Sequence, residues 1–164
     1  MNPPLYTPEE RRRRDQTPWT LVQGVLAPLQ FVVFLVSVGM VLRFLYSGDG
    51  YAAATASIIV KTVVLYTIMV TGAIWEREVF GQYLFARAFF WEDVVSMLVI
   101  ALHTAYLGAL AFHWLAPAGQ MTLALSAYCA YVVNAAQFLI KFRAARSVRD
   151  EIRIGLGDAP VEGA

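Results

Sequence analysis

Carboxyl, imidazole and phenol groups recur along one apolar stretch of this 164-residue chain. The residues are Glu92, Ser96, Val99, His103 and Tyr106, at spacings of 4, 3, 4 and 3 positions. This spacing puts all five on one face of an α-helix. Carboxyl and imidazole groups are those that exchange protons in general acid–base catalysis, and an ionisable group is costly in an apolar helix. The face therefore predicts a site of proton-transfer chemistry.

Two other apolar stretches carry polar stripes of their own. The first stripe contains Gln23, Gln30 and Ser37, and the second contains Tyr131, Asn134, Phe138 and Lys141, with Gln137 beside it. Because lipid solvates such groups poorly, we expect the three stripes to face the interior of one helix bundle.

Four polar groups from four different helices are predicted at a similar depth. At about 1.5 Å per residue from one membrane surface, Gln30 and Tyr128 lie ~18 Å deep, Lys61 ~21 Å and His103 ~16 Å. The sequence thus predicts a polar layer near the membrane midplane.

Simpler explanations of these residues remain open. Asp93, in the first turn of a helix, would favour the helix dipole. Gln23, Gln30 and Asn134 would serve as interhelical hydrogen-bonding groups. Lys61 would reach towards a membrane surface, and His103 would only pack.

The elements that would position these groups are long apolar helices. Hydrophobic residues make up 59% of the chain and charged residues 15%, against roughly 25% charged in a typical soluble domain. The 27 residues between Asp15 and Arg43, and the 47 between Asp93 and Lys141, include no Asp, Glu, Lys or Arg. One membrane crossing takes ~20 apolar residues, so the predicted fold is an all-α integral membrane protein with four transmembrane helices. The predicted spans are 18–46, 51–75, 91–115 and 118–140, in a single membrane domain over 1–164.

Three further segments flank these spans. We predict a polar tail or short surface helix over residues 1–16, an aromatic interfacial segment over 76–90 and a basic tail over 141–164. With both termini in the cytoplasm, 11 of the 13 Lys and Arg residues fall on the cytoplasmic side and none falls in the outer turns. This distribution follows the positive-inside rule, so both the N and C termini are expected to be cytoplasmic.

Several classes of site have no motif in the sequence. It has no glycine-rich phosphate loop and no His-x-x-x-His pair. The single cysteine, Cys129, excludes an internal disulfide and a multi-cysteine metal site. The basic runs are better explained as topology signals than as a nucleic-acid surface. We therefore expect no cofactor, no protein-bound metal and no nucleic-acid partner.

Five strings in the sequence point to a known family. They are WTLVQGVLAPLQF (19–31), IWEREVFG (74–81), FFWEDV (89–94), MLVIALHTAY (97–106) and AYVVNA (130–135). Together they resemble the 3-vinyl bacteriochlorophyllide hydratases, with similarity from Tyr6 to Arg146. The resemblance implies a hydro-lyase of bacteriochlorophyll a synthesis that adds water to the 3-vinyl group of chlorophyllide a or 3-vinyl bacteriochlorophyllide a, giving a 3-(1-hydroxyethyl) product.

The resemblance also implies a location and partners. The expected location is the inner membrane of a photosynthetic bacterium, either cytoplasmic or intracytoplasmic. The expected partners are the pigment substrate, the lipid bilayer and other pigment-synthesis enzymes.

Hydration of a vinyl group conjugated to the macrocycle is expected to begin with a proton. The proton goes to the terminal carbon, and water then attacks the inner carbon, which requires a general acid and a group that deprotonates water. We predict Glu92 as the acid, with Glu76 and Asp93 as alternatives. His103 either activates water or ligates the magnesium of the substrate.

Substrate-binding residues are predicted at the cytoplasmic edge and along the polar stripes. Arg87 or Lys141 is expected to hold the pigment propionate, because a carboxylate prefers the interface. Lys61 and Arg77 are the alternatives. The aromatic segment from Phe80 to Trp91 is expected to stack on the ring as a lid. The remaining predicted contacts are Gln30, Trp91, Tyr106, Asn134 and Gln137.

A non-catalytic pigment-binding or assembly subunit would use the same features. A small transporter subunit fits less well, since the sequence has no repeat and no pair of broken helices. Whether the purified protein converts the pigment to product distinguishes an enzyme from a binding subunit.

Overall fold

The computed structural model describes residues 5–157 of the chain, with side chains through residue 145. This part of the chain forms five α-helices: α1 (Pro8–Gln16), α2 (Pro18–Ser47), α3 (Tyr51–Phe80), α4 (Phe90–Ala111) and α5 (Pro117–Gly157). Four of them, α2, α3, α4 and the Pro117–Ala145 part of α5, are long and apolar enough to cross a membrane. The prediction of an all-α protein with four membrane-spanning helices is confirmed by length and composition.

Capping residues explain where α2 begins and ends. The Thr17 hydroxyl accepts a bond from the backbone N–H of Trp19 at 3.4 Å, and Pro18 occupies the first turn. Such caps satisfy N–H groups that the helix leaves free. The turn between α2 and α3 uses Gly48 and Gly50 at φ 78° and 88°, a left-handed backbone that glycine adopts at little cost.

The helix α3 continues beyond the predicted end at Trp75. It includes the charged run from Glu76 and stops after Phe80 at Gly81, which has φ 83° and donates its N–H to the Arg77 carbonyl at 2.9 Å. The glycine cap, and not the charges, therefore ends the helix. Of the predicted interfacial segment 76–90, only Gly81–Phe89 lies between α3 and α4, and we call it the connecting segment.

The ends of α4 and α5 also differ from the predicted spans. The helix α4 stops at Ala111, before the predicted end at Leu115, because the chain turns at His113, whose φ is 56°. The helix α5 passes Ile140 without a break, so its backbone includes the start of the segment predicted as a basic tail. No proline or glycine interrupts the chain there.

The four long helices pack as two hairpins. The helix α2 lies along α3, and α4 lies along α5, whereas the two pairs contact each other less extensively. We call the boundary between the pairs the seam. Hydroxyl groups bridge it on both sides: Ser37 and Tyr128 are 2.5 Å apart between α2 and α5, and Tyr66 and Thr104 are 2.7 Å apart between α3 and α4.

The N-terminal segment contains a short helix, as one of the two predicted alternatives had it, and it also packs on the bundle. Tyr6 is only 7% exposed and stacks on Phe80 with a centroid distance of 5.8 Å. Burial raises the pKa of Tyr6 to about 12, so its hydroxyl stays neutral. Burial of the Tyr6 ring is favourable and holds the charged N-terminal segment against the bundle. The ring belongs to an aromatic cluster of Tyr6, Trp75, Phe80, Phe89, Phe138 and Phe142.

Candidate active site

The polar face predicted on α4 is buried along its whole length. Glu92, Ser96, Val99, His103 and Tyr106 each have 5% or less of their surface exposed. The helical period of the sequence thus identifies the interior face of α4 correctly. The same helix carries Asp93, which is also buried.

Three carboxyl groups meet at one end of the bundle, where α3 ends and α4 begins. Glu76, Glu92 and Asp93 are 5%, 5% and 3% exposed, and we call them the carboxylate cluster. Glu76 and Asp93 accept the backbone N–H groups of two adjacent residues, Ala86 and Phe85, so their carboxyl groups lie side by side. Two ionised carboxylates that share a site repel each other, which favours a proton on one of them. This pair is therefore a place where the protein holds a proton.

Glu92 has a different partner. Its Oε2 lies 2.5 Å from the Lys141 ammonium of α5. Lys141 also donates a hydrogen bond to the Ala88 carbonyl of the connecting segment. A charge-assisted bond of this kind stabilises the ionised carboxylate. The cluster thus combines a proton-sharing pair with an ion-paired carboxylate.

The cluster holds the connecting segment by its backbone. Asp93 accepts the Phe85 N–H at 2.7 Å, and Glu76 accepts the Ala86 N–H at 3.3 Å. Phe85 has φ 60°, a conformation that costs a non-glycine residue roughly 1–2 kcal/mol. The carboxylates therefore hold the connecting segment in a strained backbone conformation.

A cavity lies beside the connecting segment. Its volume is about 470 Å³, within the range of ~300–1,000 Å³ that is usual for ligand sites. Ala86, whose amide bonds to Glu76, lines the cavity together with Arg87, an exposed cation. Its full lining is Leu5, Thr7, Glu10, Phe80, Gln82, Ala86, Arg87 and Ala88.

A second polar group of residues lies deeper, at the seam. The Lys61 ammonium sits 4.1 Å from the centre of the Tyr131 ring and 5.5 Å from that of Tyr128. His103 packs against Tyr128 with a centroid distance of 5.9 Å. Lys61 and His103 are fully buried. Among the described residues, neither Lys61 Nζ nor His103 Nε2 has a hydrogen-bond partner.

The other predicted contacts fall in several places. Gln30 is buried with Oε1 unpaired among the described side chains, and Asn134 donates to Ser96 at 2.7 Å. Tyr106 is buried beside Thr55, and Gln137 is half-buried. Trp91 is 67% exposed on the outer surface, so the structure does not bring it together with the cluster. The reason is that α4 turns this side chain away from the face of Glu92.

Sequence reasoning missed two contributors. Tyr6 completes the aromatic cluster, and the only signal for it was the capping box of Thr7 and Glu10, which fixes a helix directly after it. Ser57 extends the hydroxyl contact of Ser37 and Tyr128, at 2.7 Å from Ser37. Its position among small residues of α3 indicated close packing but no polar role.

Comparisons with known proteins agree with the resemblance. A model of the 2-vinyl bacteriochlorophyllide hydratase family matches residues 6–144. A protein of Cereibacter sphaeroides named 2-vinyl bacteriochlorophyllide hydratase is 68% identical over 142 residues, covering 87% of this chain and 88% of that protein. A protein of the same name from Rhodobacter capsulatus is also 68% identical over 142 residues, covering 87% and 82%. No solved structure matches the chain.

Proposed function

Because this chain belongs to the 2-vinyl bacteriochlorophyllide hydratase family, we propose that it adds water to the vinyl group of a bacteriochlorophyllide at the carboxylate cluster. The chain is a hydratase, and hence a hydro-lyase, of bacteriochlorophyll synthesis. Positions 2 and 3 are two numberings of one vinyl-bearing carbon. Our finer proposal is that the product is the 3-(1-hydroxyethyl) pigment and that chlorophyllide a is accepted as well.

The Glu76–Asp93 pair supplies the proton in this mechanism. Its two carboxyl groups are buried side by side, and the repulsion between two ionised carboxylates favours one shared proton. Transfer of that proton to the terminal vinyl carbon leaves a cation on the inner carbon, which the conjugated ring stabilises. The pair replaces Glu92 as our preferred acid because Glu92 carries an ammonium partner.

Glu92 acts on the water. Water adds to the inner carbon and gives up one proton to the Glu92 carboxylate, which Lys141 holds in place. The adjacent Asp93 then recovers that proton from Glu92, so the pair is restored and the net change is addition of one water. Two carboxyl groups with different partners thus divide the acid and base roles.

Arg87 is our choice for the pigment propionate. Lys141 already has Glu92 and Ala88 as partners, whereas Arg87 is exposed and lines the cavity beside the connecting segment. The vinyl and propionate groups belong to neighbouring rings of the macrocycle, so one edge of the pigment would present both. An Arg side chain matches a carboxylate with two parallel hydrogen bonds.

The location of the site follows from the distribution of charge. Our proposal is that the carboxylate cluster and both termini lie on the cytoplasmic side of a bacterial inner membrane, and the distribution of Lys and Arg supports this orientation. Water and a pigment with one carboxylate would both reach the site from that interface. Hand-over to or from other pigment-synthesis enzymes would occur on the same face.

The test is turnover in isotopic water. Purified protein is incubated with vinyl bacteriochlorophyllide in H₂¹⁸O, and the pigment is analysed by mass spectrometry. We expect a product heavier by one molecule of H₂¹⁸O, with the label on the side-chain hydroxyl. A shifted pigment absorption band without any product would instead support the pigment-binding subunit.

A further inference from the structure

We propose that His103 ligates the central magnesium of the pigment through Nε2, so that the macrocycle lies in the seam between the two hairpins. The identity of the ligand rests on the proposed function. The magnesium belongs to the substrate, whose four ring nitrogens hold it and leave an axial position open.

The hydrogen bonding of His103 defines its tautomer. Nδ1 lies 2.8 Å from the Val99 carbonyl oxygen. Because a carbonyl only accepts, Nδ1 carries the proton, and Nε2 of the neutral ring presents a lone pair. Metal-binding histidines commonly donate their other ring N–H to a backbone carbonyl in this way. The ring of His103 is thus oriented and prepared to bind a metal.

Nothing on the described part of the chain uses that lone pair. His103 is fully buried, and Nε2 has no partner among the described residues. A buried polar atom of this kind calls for a ligand or an ordered water. The Tyr128 ring lies against His103, and the two hairpins contact each other less extensively across the seam than the helices do within each hairpin, so the seam is where a flat macrocycle would enter the bundle.

Distance argues against the alternative role of His103 in activating water. His103 follows Glu92 by 11 positions in α4, on the order of 16 Å along the axis. Protonation and water attack take place on two bonded carbons, so both groups must lie close to one vinyl group. If the cluster protonates the vinyl carbon, His103 is too deep to deprotonate the water. A magnesium ligand at that depth instead lets the pigment edge extend towards the cluster.

The experiment measures binding and not turnover. Purified full-length protein is titrated with a bacteriochlorophyllide whose vinyl group has been reduced to ethyl, with its zinc analogue and with its metal-free form. We expect the wild type to bind the magnesium pigment at least ~10-fold more tightly than the metal-free one. In His103→Ala this preference should disappear, and added imidazole should restore it.

Two controls keep the result interpretable. His113→Asn alters the exposed histidine at the opposite end, where an αL backbone tolerates Asn, and should keep the full preference. Binding of the magnesium, zinc and metal-free pigments to the wild type tests the proposal even if His103→Ala does not fold. A wild type without any preference for the metallated pigment overturns it.

A preference for metallated pigment that persists in folded His103→Ala also overturns the proposal. Failure of the proposed function looks different: no labelled product forms from any vinyl pigment in H₂¹⁸O. Product formation together with a metal preference independent of His103 would reject the ligand and leave the hydratase reaction intact.

Discussion

At the scale of residues, the partners of each ionisable group decide what it can contribute. Glu92 and Asp93 are neighbours in sequence, yet one lies against an ammonium and the other against a second carboxyl group. Lys61 and Lys141 differ in the same way, since only Lys141 has a carboxylate partner among the described residues. These contrasts lead to two predictions.

Removing the shared proton site should abolish most of the activity. Glu76→Gln and Asp93→Asn keep the size of the side chain but cannot pass on the proton, so we expect kcat to fall by about 10²–10⁴-fold. The effect is measured as product formed under saturating pigment. Asp49→Asn, in the exposed turn at the other end, is the matched control and should keep wild-type kcat. Full activity in Glu76→Gln would exclude the pair as the proton donor.

Replacing Lys61, which is fully buried, and Lys141, which is half-buried, by methionine should change the unfolding free energy in opposite directions. Lys61→Met removes an ammonium that has only aromatic rings beside it, so the unfolding free energy should rise by about 1 kcal/mol. Lys141→Met leaves Glu92 without its partner and should lower it by about 3 kcal/mol. Thermal unfolding in detergent measures both changes.

The pigment KM in the same variants tests the predicted role of Lys61 as a substrate contact. A higher KM in Lys61→Met, with increased stability, is the expected combination. An unchanged KM would remove Lys61 from the substrate-binding residues. A lower unfolding midpoint in Lys61→Met would contradict the argument that the buried ammonium destabilises the protein.

At the scale of elements, the sequence predicted helices and their interior faces better than the contacts between them. The face of α4 could be predicted because Glu92, Ser96 and His103 follow the helical period. The pairing of Glu92 with Lys141 could not, because the residues are 49 positions apart and meet only when α4 packs on α5. The end of α3 at Gly81 was likewise hard to predict, because the charged residues Glu76, Arg77 and Glu78 precede it and the helix continues through them.

The N-terminal segment is the element whose docking depends most on one side chain. Tyr6→Ala removes the buried ring from the aromatic cluster, which should weaken docking by about 3 kcal/mol. The Arg11–Arg14 run provides trypsin sites, so cleavage there should accelerate by as much as ~100-fold. The measurement is the rate of proteolysis in detergent.

Two controls accompany this measurement. Tyr6→Phe keeps the ring and should be cleaved nearly as slowly as the wild type. Tyr46→Ala removes a tyrosine that is 96% exposed and should have no effect. Equal cleavage of Tyr6→Ala and wild type would show that the aromatic contact does not hold the segment.

At the scale of the whole molecule, the two hairpins divide the functional groups between an edge and a seam. The carboxylate cluster joins α3, α4 and the Lys141 region of α5 at one end of the bundle. Lys61, His103 and Tyr128 lie deeper, where the hairpins meet. A flat pigment that enters the seam edge-on would contact both sets at once, and this arrangement requires that the cluster face the compartment from which the pigment comes.

That requirement gives a prediction about orientation. Cys129 is the single cysteine of the chain, so Cys129→Ala provides a background for labelling. In that background, Gln82→Cys puts a thiol in the connecting segment and Asp49→Cys puts one in the turn between α2 and α3. A membrane-impermeant maleimide applied to intact spheroplasts should label Asp49→Cys only, because the positive-inside rule predicts that the connecting segment is cytoplasmic. Lysis should expose Gln82→Cys to the reagent. The reverse pattern would place the carboxylate cluster at the outer surface and would contradict pigment entry from the cytoplasm.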